Sequence, residues 1–165
     1  MKYIVREKIF TIGNKFQIKD EQGIPRFEVV GKVLTIGKKL NIYDMLGSNV
    51  SHIEQKILRF LPEYNIYLNN KLGATIKQKL TLFKSKFSIS SDFGKFDVDG
   101  DIFDYNFSIY KNGRKVARVN KKLISFSDTY TVDIDDNENQ AFILSIVIVL
   151  DQVLHDYKHK SNVQD

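Results

Sequence analysis

Ala141-Phe142-Ile143-Leu144-Ser145-Ile146-Val147-Ile148-Val149-Leu150, continued by Asp151-Gln152-Val153-Leu154-His155-Asp156-Tyr157, is the stretch on which the fold turns. Ile146 to Val149 are all β-branched, so composition alone would suit a buried strand as well as a buried helix. Length and flanks favour the helix. Asp135, Asp136 and Glu138 place acids and N-cap candidates before the run, and His155, Lys158, His159 and Lys160 place cations after it, matching the helix dipole at both ends. Ile143, Val147, Leu150, Leu154 and Tyr157 recur at helical spacing. The expected helix covers about 138–158 and is apolar on nearly every side, so something must enclose it.

Upstream of it the chain reads as hairpins. Phe16-Gln17-Ile18-Lys19 alternates, Asp20-Glu21-Gln22-Gly23 turns, and Arg26-Phe27-Glu28-Val29 returns, with Pro25 at the start of the return strand, where a missing N–H harms least. An apolar-polar-Ile stretch followed by a glycine then recurs. Phe16-Gln17-Ile18 leads to Gly23, Leu40-Asn41-Ile42 to Gly47, Tyr64-Asn65-Ile66 to Gly73, Phe87-Ser88-Ile89 to Gly94, and Phe107-Ser108-Ile109 to Gly113. The period of roughly 20 to 24 residues approaches that of a leucine-rich repeat, but the Leu/Asn ladder of that fold is absent. Repeated hairpins give instead an antiparallel meander of about ten to twelve strands. That many strands in one domain create an edge problem, which closure into a barrel removes. A barrel of about 12 strands is too wide for its own side chains to fill, and the apolar helix is the natural filler. The reading is therefore mainly β, a single domain over 1–165 built as a closed barrel around a central C-terminal helix.

Composition narrows the function classes. With no cysteine there is no disulfide framework, thiolate nucleophile or cysteine-ligated zinc, which fits a reducing cytosol. Charges in Met1-Lys2-Tyr3-Ile4-Val5-Arg6-Glu7 fall where a signal peptide would be apolar, so the expected location is cytoplasmic. The C-terminal apolar run is about half of the roughly 20 residues a bilayer needs, so no transmembrane segment is expected. A net charge of +5, with acids and bases interspersed, permits contact with phosphate or an anionic membrane without demanding it.

Several constellations invite chemistry. Asp97, Asp99, Asp101 and Asp104 resemble calcium ligands, but Gly100 and Ser108 stand at the wrong loop positions for an EF-hand, and Asp99-Gly100 reads as a hairpin turn. His155 and His159 have the spacing of a shared metal, yet no acid follows in the zinc-protease pattern, and cations at a helix C-terminus already have a dipolar role. His52 lacks a nucleophile pattern around Ser48 or Ser51. No catalytic residue, metal site or cofactor is assigned.

The basic residues are the functional lead. Lys77 and Lys79 share one side of a strand that a bulge or twist at Gln78 would set against an apolar face of Ile76, Leu80 and Leu82, and Lys84 and Lys86 follow. Arg114, Lys115 and Arg118, with Lys121 and Lys122, form a second group. Brought together, Lys77, Lys79, Lys84, Lys86, Arg114, Lys115 and Arg118 would make a phosphate-holding patch; kept apart, they are edge-protecting lysines. Phe83 and Phe87 interleave with the lysines, but their alternation fits the core better than base stacking, so nucleic acid is the weakest partner class.

The chain resembles the LURP-one-related family, within the tubby C-terminal-like group that includes phospholipid scramblases. The residues that carry the resemblance are Phe16 to Gly23, Phe107-Ser108-Ile109-Tyr110-Lys111-Asn112-Gly113, Val116-Ala117-Arg118-Val119-Asn120-Lys121-Lys122, Tyr130-Thr131-Val132-Asp133-Ile134, and the helix ending Leu150 to Asp156. It implies a twelve-stranded barrel around a central helix. Tubby domains are phosphoinositide-dependent membrane-surface modules, and scramblase-like relatives are linked to lipid, whereas LURP-one members mostly lack an assigned biochemistry. The lipid-contacting basic residues of the group match none here one by one. The expected function is accordingly a non-catalytic binding or scaffolding module for anionic lipid headgroups or another phosphorylated ligand, peripheral to a membrane. A protein-protein interaction module is the alternative, and a hydrolase comes third.

Overall fold

The computed structural model describes residues 1–6, 15–32, 35–79, 86–121 and 129–161, with side chains to residue 156. Twelve strands are described: β1 (Lys2–Arg6), β2 (Lys15–Asp20), β3 (Pro25–Gly31), β4 (Lys39–Asp44), β5 (Asn49–Gln55), β6 (Glu63–Leu68), β7 (Lys71–Lys79), β8 (Lys86–Ser91), β9 (Phe96–Asp101), β10 (Asn106–Lys111), β11 (Arg114–Lys121) and β12 (Thr129–Ile134). Each pairs antiparallel with its neighbours in sequence, and β1 pairs with β12 to close the barrel. One helix, α1 (Gln140–Ser161), follows and runs through the interior.

The sequence repeat has a structural meaning. Every apolar-polar-Ile unit lies on an even-numbered strand, and Ile18, Ile42, Ile66, Ile89 and Ile109 all point into the core. After four of these isoleucines the register slips by a bulge, at Ile18/Lys19, Ile42/Tyr43, Ile66/Tyr67 and Ile109/Tyr110. A bulge adds local twist, and twist repeated around the wall is what lets a sheet curl into a barrel. Gly23, Gly47, Gly94 and Gly113 sit in the connecting turns as the repeat predicts. Gly73 does not. The β6–β7 turn is made by Asn69 and Asn70, both left-handed, and Gly73 lies inside β7, where a Cβ would stand 3.0 Å from the Phe93 ring. Asp99-Gly100 is likewise not a turn. Both residues belong to β9, and the chain reverses at 102–105, because at Gly100 the backbone passes so close to β10 that a Cβ would lie 2.6 Å from the Asn106 carbonyl oxygen.

The interior is the helix. Every residue from Ala141 to Leu154 is buried, so the apolar run is enclosed on all sides as its composition requires. Three polar residues are buried with it, Ser145, Asp151 and Gln152: Ser145 is satisfied by the Ala141 carbonyl at 2.7 Å and by the Ser51 hydroxyl of β5 at 2.7 Å, and the Asp151 carboxylate accepts from the Tyr105 hydroxyl. The N-cap is Asn139, whose Oδ1 accepts from the Phe142 amide at 2.9 Å, rather than any of the three acids before it. Those acids take cations instead: Asp136 the N-terminal ammonium, Asp135 Arg114, and Glu138 both Arg114 and Lys111. Among the described residues no helix is long and apolar enough to cross a membrane.

The barrel has two rims. The upper rim, where α1 starts, carries the tight turns after β2, β4, β6, β8 and β10; the lower rim, where α1 ends, carries the connections after the odd-numbered strands.

Candidate functional site

The two basic groups occupy opposite rims. Lys77 and Lys79 end β7 and Lys86 begins β8, on the lower rim, while Arg114 and Lys115 begin β11 on the upper rim. Three strands lie between β7 and β11, which at about 4.8 Å per step separates them by roughly 19 Å around the wall. Lys84 lies outside the described residues.

On the lower rim the lysines converge by simple alternation. The β7–β8 register runs unbroken from Ala74↔Ser91 to Lys79↔Lys86, so no bulge stands at Gln78, and Leu80 and Leu82 lie outside the described residues. Ile76 points inward, and Lys77 and Lys79 point outward without a bulge. Lys79 and Lys86 are direct cross-strand partners, both exposed. Like charges placed directly opposite destabilise a sheet pair, and an anion between them would relieve the repulsion.

β6 supplies the counter-charge beside them. Glu63 is 6% exposed and is reached by Lys56 at 3.0 Å, Lys77 at 3.5 Å and Arg59 at 3.7 Å. Burial works to raise its pKa, but the Lys56 hydrogen bond and the charges of Lys56, Lys77 and Arg59 outweigh it and hold the carboxyl below its usual value. One carboxylate under three cations leaves positive charge in excess. Farther along the same rim Lys39 pairs with Glu54 at 2.6 Å and Lys38 pairs with Asp156. From β4 to β8, Lys38, Lys39, Lys56, Arg59, Lys77, Lys79 and Lys86 outnumber Glu54, Glu63 and Asp156. The sequence reading passed over Lys56 and Arg59. Their signal was the connection Lys56-Ile57-Leu58-Arg59-Phe60-Leu61-Pro62, too apolar for a surface loop and too charged and proline-bound for a strand.

The upper-rim group is differently occupied. Arg114 grips Asp135 and, at 2.8 Å, Glu138, so it fastens the start of the helix to β11. Arg118 donates to Ser108 and Asn120, each at 3.2 Å, and to Asn106. Lys115 and Arg118 border a shallow cleft of about 590 Å³ that Asp133, Asp135 and Asp136 also line. Those acids oppose an anion there.

Among the described residues His52 meets an amide and a ring, not a nucleophile. Its Nδ1 lies 2.7 Å from Asn41 Oδ1 on the outer wall, its ring is 5.9 Å from that of Tyr67, and Ser51, one residue away, faces inward to Ser145. Burial first, and Lys32 next, hold its pKa below the ordinary value. Asp97, Asp99 and Asp101 are all exposed along β9, and among the described residues no three metal-ligating side chains converge. His159 lies outside the described side chains.

Known proteins agree with this architecture. A family model described as LURP-one-related matches residues 1–151. The chain is 30% identical over 157 residues to an uncharacterized protein of Bacillus subtilis (strain 168), YxjI, covering 95% of this chain and 96% of that one. An X-ray structure of a protein from Arabidopsis thaliana superposes with a TM-score of 0.67 at 21% identity, covering 92% of this chain and 91% of that one.

Proposed function

The chain belongs to the LURP-one-related family, and from that premise we propose that it is a non-catalytic binding or scaffolding module whose lower rim recognises phosphate-bearing anions, as anionic lipid headgroups or another phosphorylated ligand. Lys79 facing Lys86 across β7 and β8, with Lys77 beside them, is the observation that carries this reading. A like-charged pair held face to face costs stability, and an anion bridging the two ammonium groups recovers it. The module acts as a single domain over 1–165, cytoplasmic and peripheral to a membrane. Of the seven basic residues picked out in the sequence, Lys77, Lys79 and Lys86 form the core of the proposed site; Arg114 fastens the helix, and Lys115 and Arg118 are screened by acids.

Co-sedimentation with anionic liposomes tests it. Binding is expected at low salt and should fall sharply near physiological ionic strength, where exposed charges are screened over about 8 Å. Neutral liposomes should not bind. Lys79→Glu with Lys86→Glu should abolish binding while shifting stability by roughly 0.5 kcal/mol or less. Equal sedimentation of wild type and double variant, or none by either at any salt, overturns the lipid-headgroup reading.

A protein-interaction module is the second reading, favoured by the outer wall of β4 to β6. There Asn41 donates to the Tyr43 hydroxyl at 3.1 Å and Asn65 to the Tyr67 hydroxyl at 3.0 Å, with His52 beside Tyr67. Such a tyrosine-rich, pre-ordered surface has the composition of a protein interface. A stoichiometric partner recovered without lipid dependence and lost on Tyr43→Ala with Tyr67→Ala would favour it.

A further inference from the structure

The lower rim also carries an apolar surface that the fold does not use. Leu58 is 98% exposed, Phe60 91% and Ile36 79%, and Ile57 is half exposed. They lie on two loops that meet, Ile36 between β3 and β4 and the other three between β5 and β6. Gly37 holds the loop bearing Ile36 against the one bearing Ile57, so closely that a Cβ on Gly37 would lie 3.0 Å from Ile57 Cγ2. The loop between β5 and β6 is also anchored at its base, where the Lys56 amide donates to the Glu63 carbonyl at 2.8 Å and the Gln78 amide to the Pro62 carbonyl at 3.0 Å. Leu58 has φ of 58°, a left-handed conformation that a bulky L-residue adopts at a cost, and it uses it to hold an apolar side chain in water. Folding gains nothing from that arrangement, so its benefit lies in something that covers it.

We propose that the loop from Lys56 to Pro62 inserts Leu58 and Phe60 into the interfacial region of an anionic lipid bilayer. This rests on the anionic-surface reading and deepens it by naming a bilayer, rather than a free phosphate, as the partner. Charge complementarity selects that occupant. Lys56 and Arg59 alternate with the apolar residues in the loop, and their shared carboxylate Glu63 ties them to Lys77 on the neighbouring strand, which continues to Lys79 and Lys86. Apolar side chains ringed by cations match acyl chains beneath anionic headgroups. A second copy docking by the same face would set these cations against their own equivalents. The opposite rim also exposes apolar residues, Leu46 at 92% and Ile24, Met45, Leu72 and Phe93 at about half, but Leu46, the most exposed of them, sits on a turn organised by Asp44, whose carboxylate accepts from the Leu46 and Ser48 amides and sets a negative charge beside it.

The chain contains no tryptophan, so Phe60→Trp introduces a single indole at the tip. With vesicles of phosphatidylcholine and phosphatidylserine at low salt, its emission should shift to shorter wavelength and be quenched by lipids brominated in their acyl chains. In the wild-type background, Leu58→Asn with Phe60→Ser should weaken vesicle binding roughly tenfold or more, because two apolar side chains lose their burial. The melting temperature should hold, since both side chains are free of the barrel and asparagine tolerates the left-handed backbone. Sedimentation without a spectral shift or brominated-lipid quenching overturns insertion and leaves the anionic-surface reading standing. Failure of wild type both to sediment at low salt and to bind inositol hexakisphosphate overturns both readings. A shift that grows with protein concentration in the absence of vesicles overturns insertion in favour of a second copy, and inositol hexakisphosphate binding without vesicle binding overturns it in favour of a soluble phosphate.

Discussion

Glu63 shows how one residue can serve the fold and the proposed site together. It is buried enough that its charge needs partners, and Lys56, Arg59 and Lys77 supply them from the loop and from β7. Glu63→Gln removes the anion and leaves three cations in mutual repulsion, so a loss of roughly 1–2 kcal/mol at neutral pH is expected. The pH dependence follows from the direction of its shift. Because the folded carboxyl is held below its ordinary 4.5, the unfolded chain binds the proton first, and the stabilisation is present above that value and lost as pH falls through the folded pKa. Denaturant titrations should therefore show wild type and Glu63→Gln well separated at pH 7 and converging in acid; a gap unchanged at pH 3 would contradict the ionic account. The sequence offered Glu63 no distinction, being one glutamate before a tyrosine. Its role arises because Lys77, fourteen positions later, lies opposite it in the β6–β7 register. Gly100 was legible in part: a glycine between aspartates marks an unusual backbone, but only the approach of β10 shows that the reason is crowding rather than a turn.

At the scale of elements the helix was the most legible part. A run apolar around nearly its whole circumference can be stable only when enclosed, and the burial of every residue from Ala141 to Leu150 is that requirement met. Val147→Asp would place an unpaired charge at the centre of the barrel at a cost of several kcal/mol, comparable to the stability of a whole domain. The variant is expected to be insoluble or unfolded, read by solubility on expression and by loss of a cooperative melt; a soluble variant with the wild-type melt would contradict the packing described. The helix start was less legible. Asp135, Asp136 and Glu138 have cap-forming chemistry, and what disqualified them was the arrival of Arg114, Lys111 and the N-terminal ammonium from other strands. The repeat behaved similarly. Its isoleucines all entered the core because alternation is local, while the turn after Tyr64-Asn65-Ile66 moved to Asn69-Asn70 because Gly73 was needed where Phe93 approaches.

For the whole molecule, closure by β1 against β12 leaves no free strand edge among the described strands, and the helix fills the interior of the barrel. With Ser51 turned inward to Ser145 and His52 outward to Asn41, broad esterase, phosphatase and nuclease assays are expected to show no turnover. Turnover that disappears on His52→Ala would overturn the non-catalytic reading. By itself the sequence determined the class of fold: alternation, the recurring apolar-polar-isoleucine unit and one all-apolar helix are periodic signals that the local chain writes and burial enforces. Tertiary structure alone decided the grouping of charges. In an up-and-down barrel each residue's height depends on how far along its strand it lies and on which way that strand runs. Register and bulges set both. Lys79 and Lys86 therefore meet at the lower rim while Arg114 begins its strand at the other end, and an ordinary-looking loop, Lys56 to Pro62, comes to lie beside the lysines with Leu58 and Phe60 facing solvent.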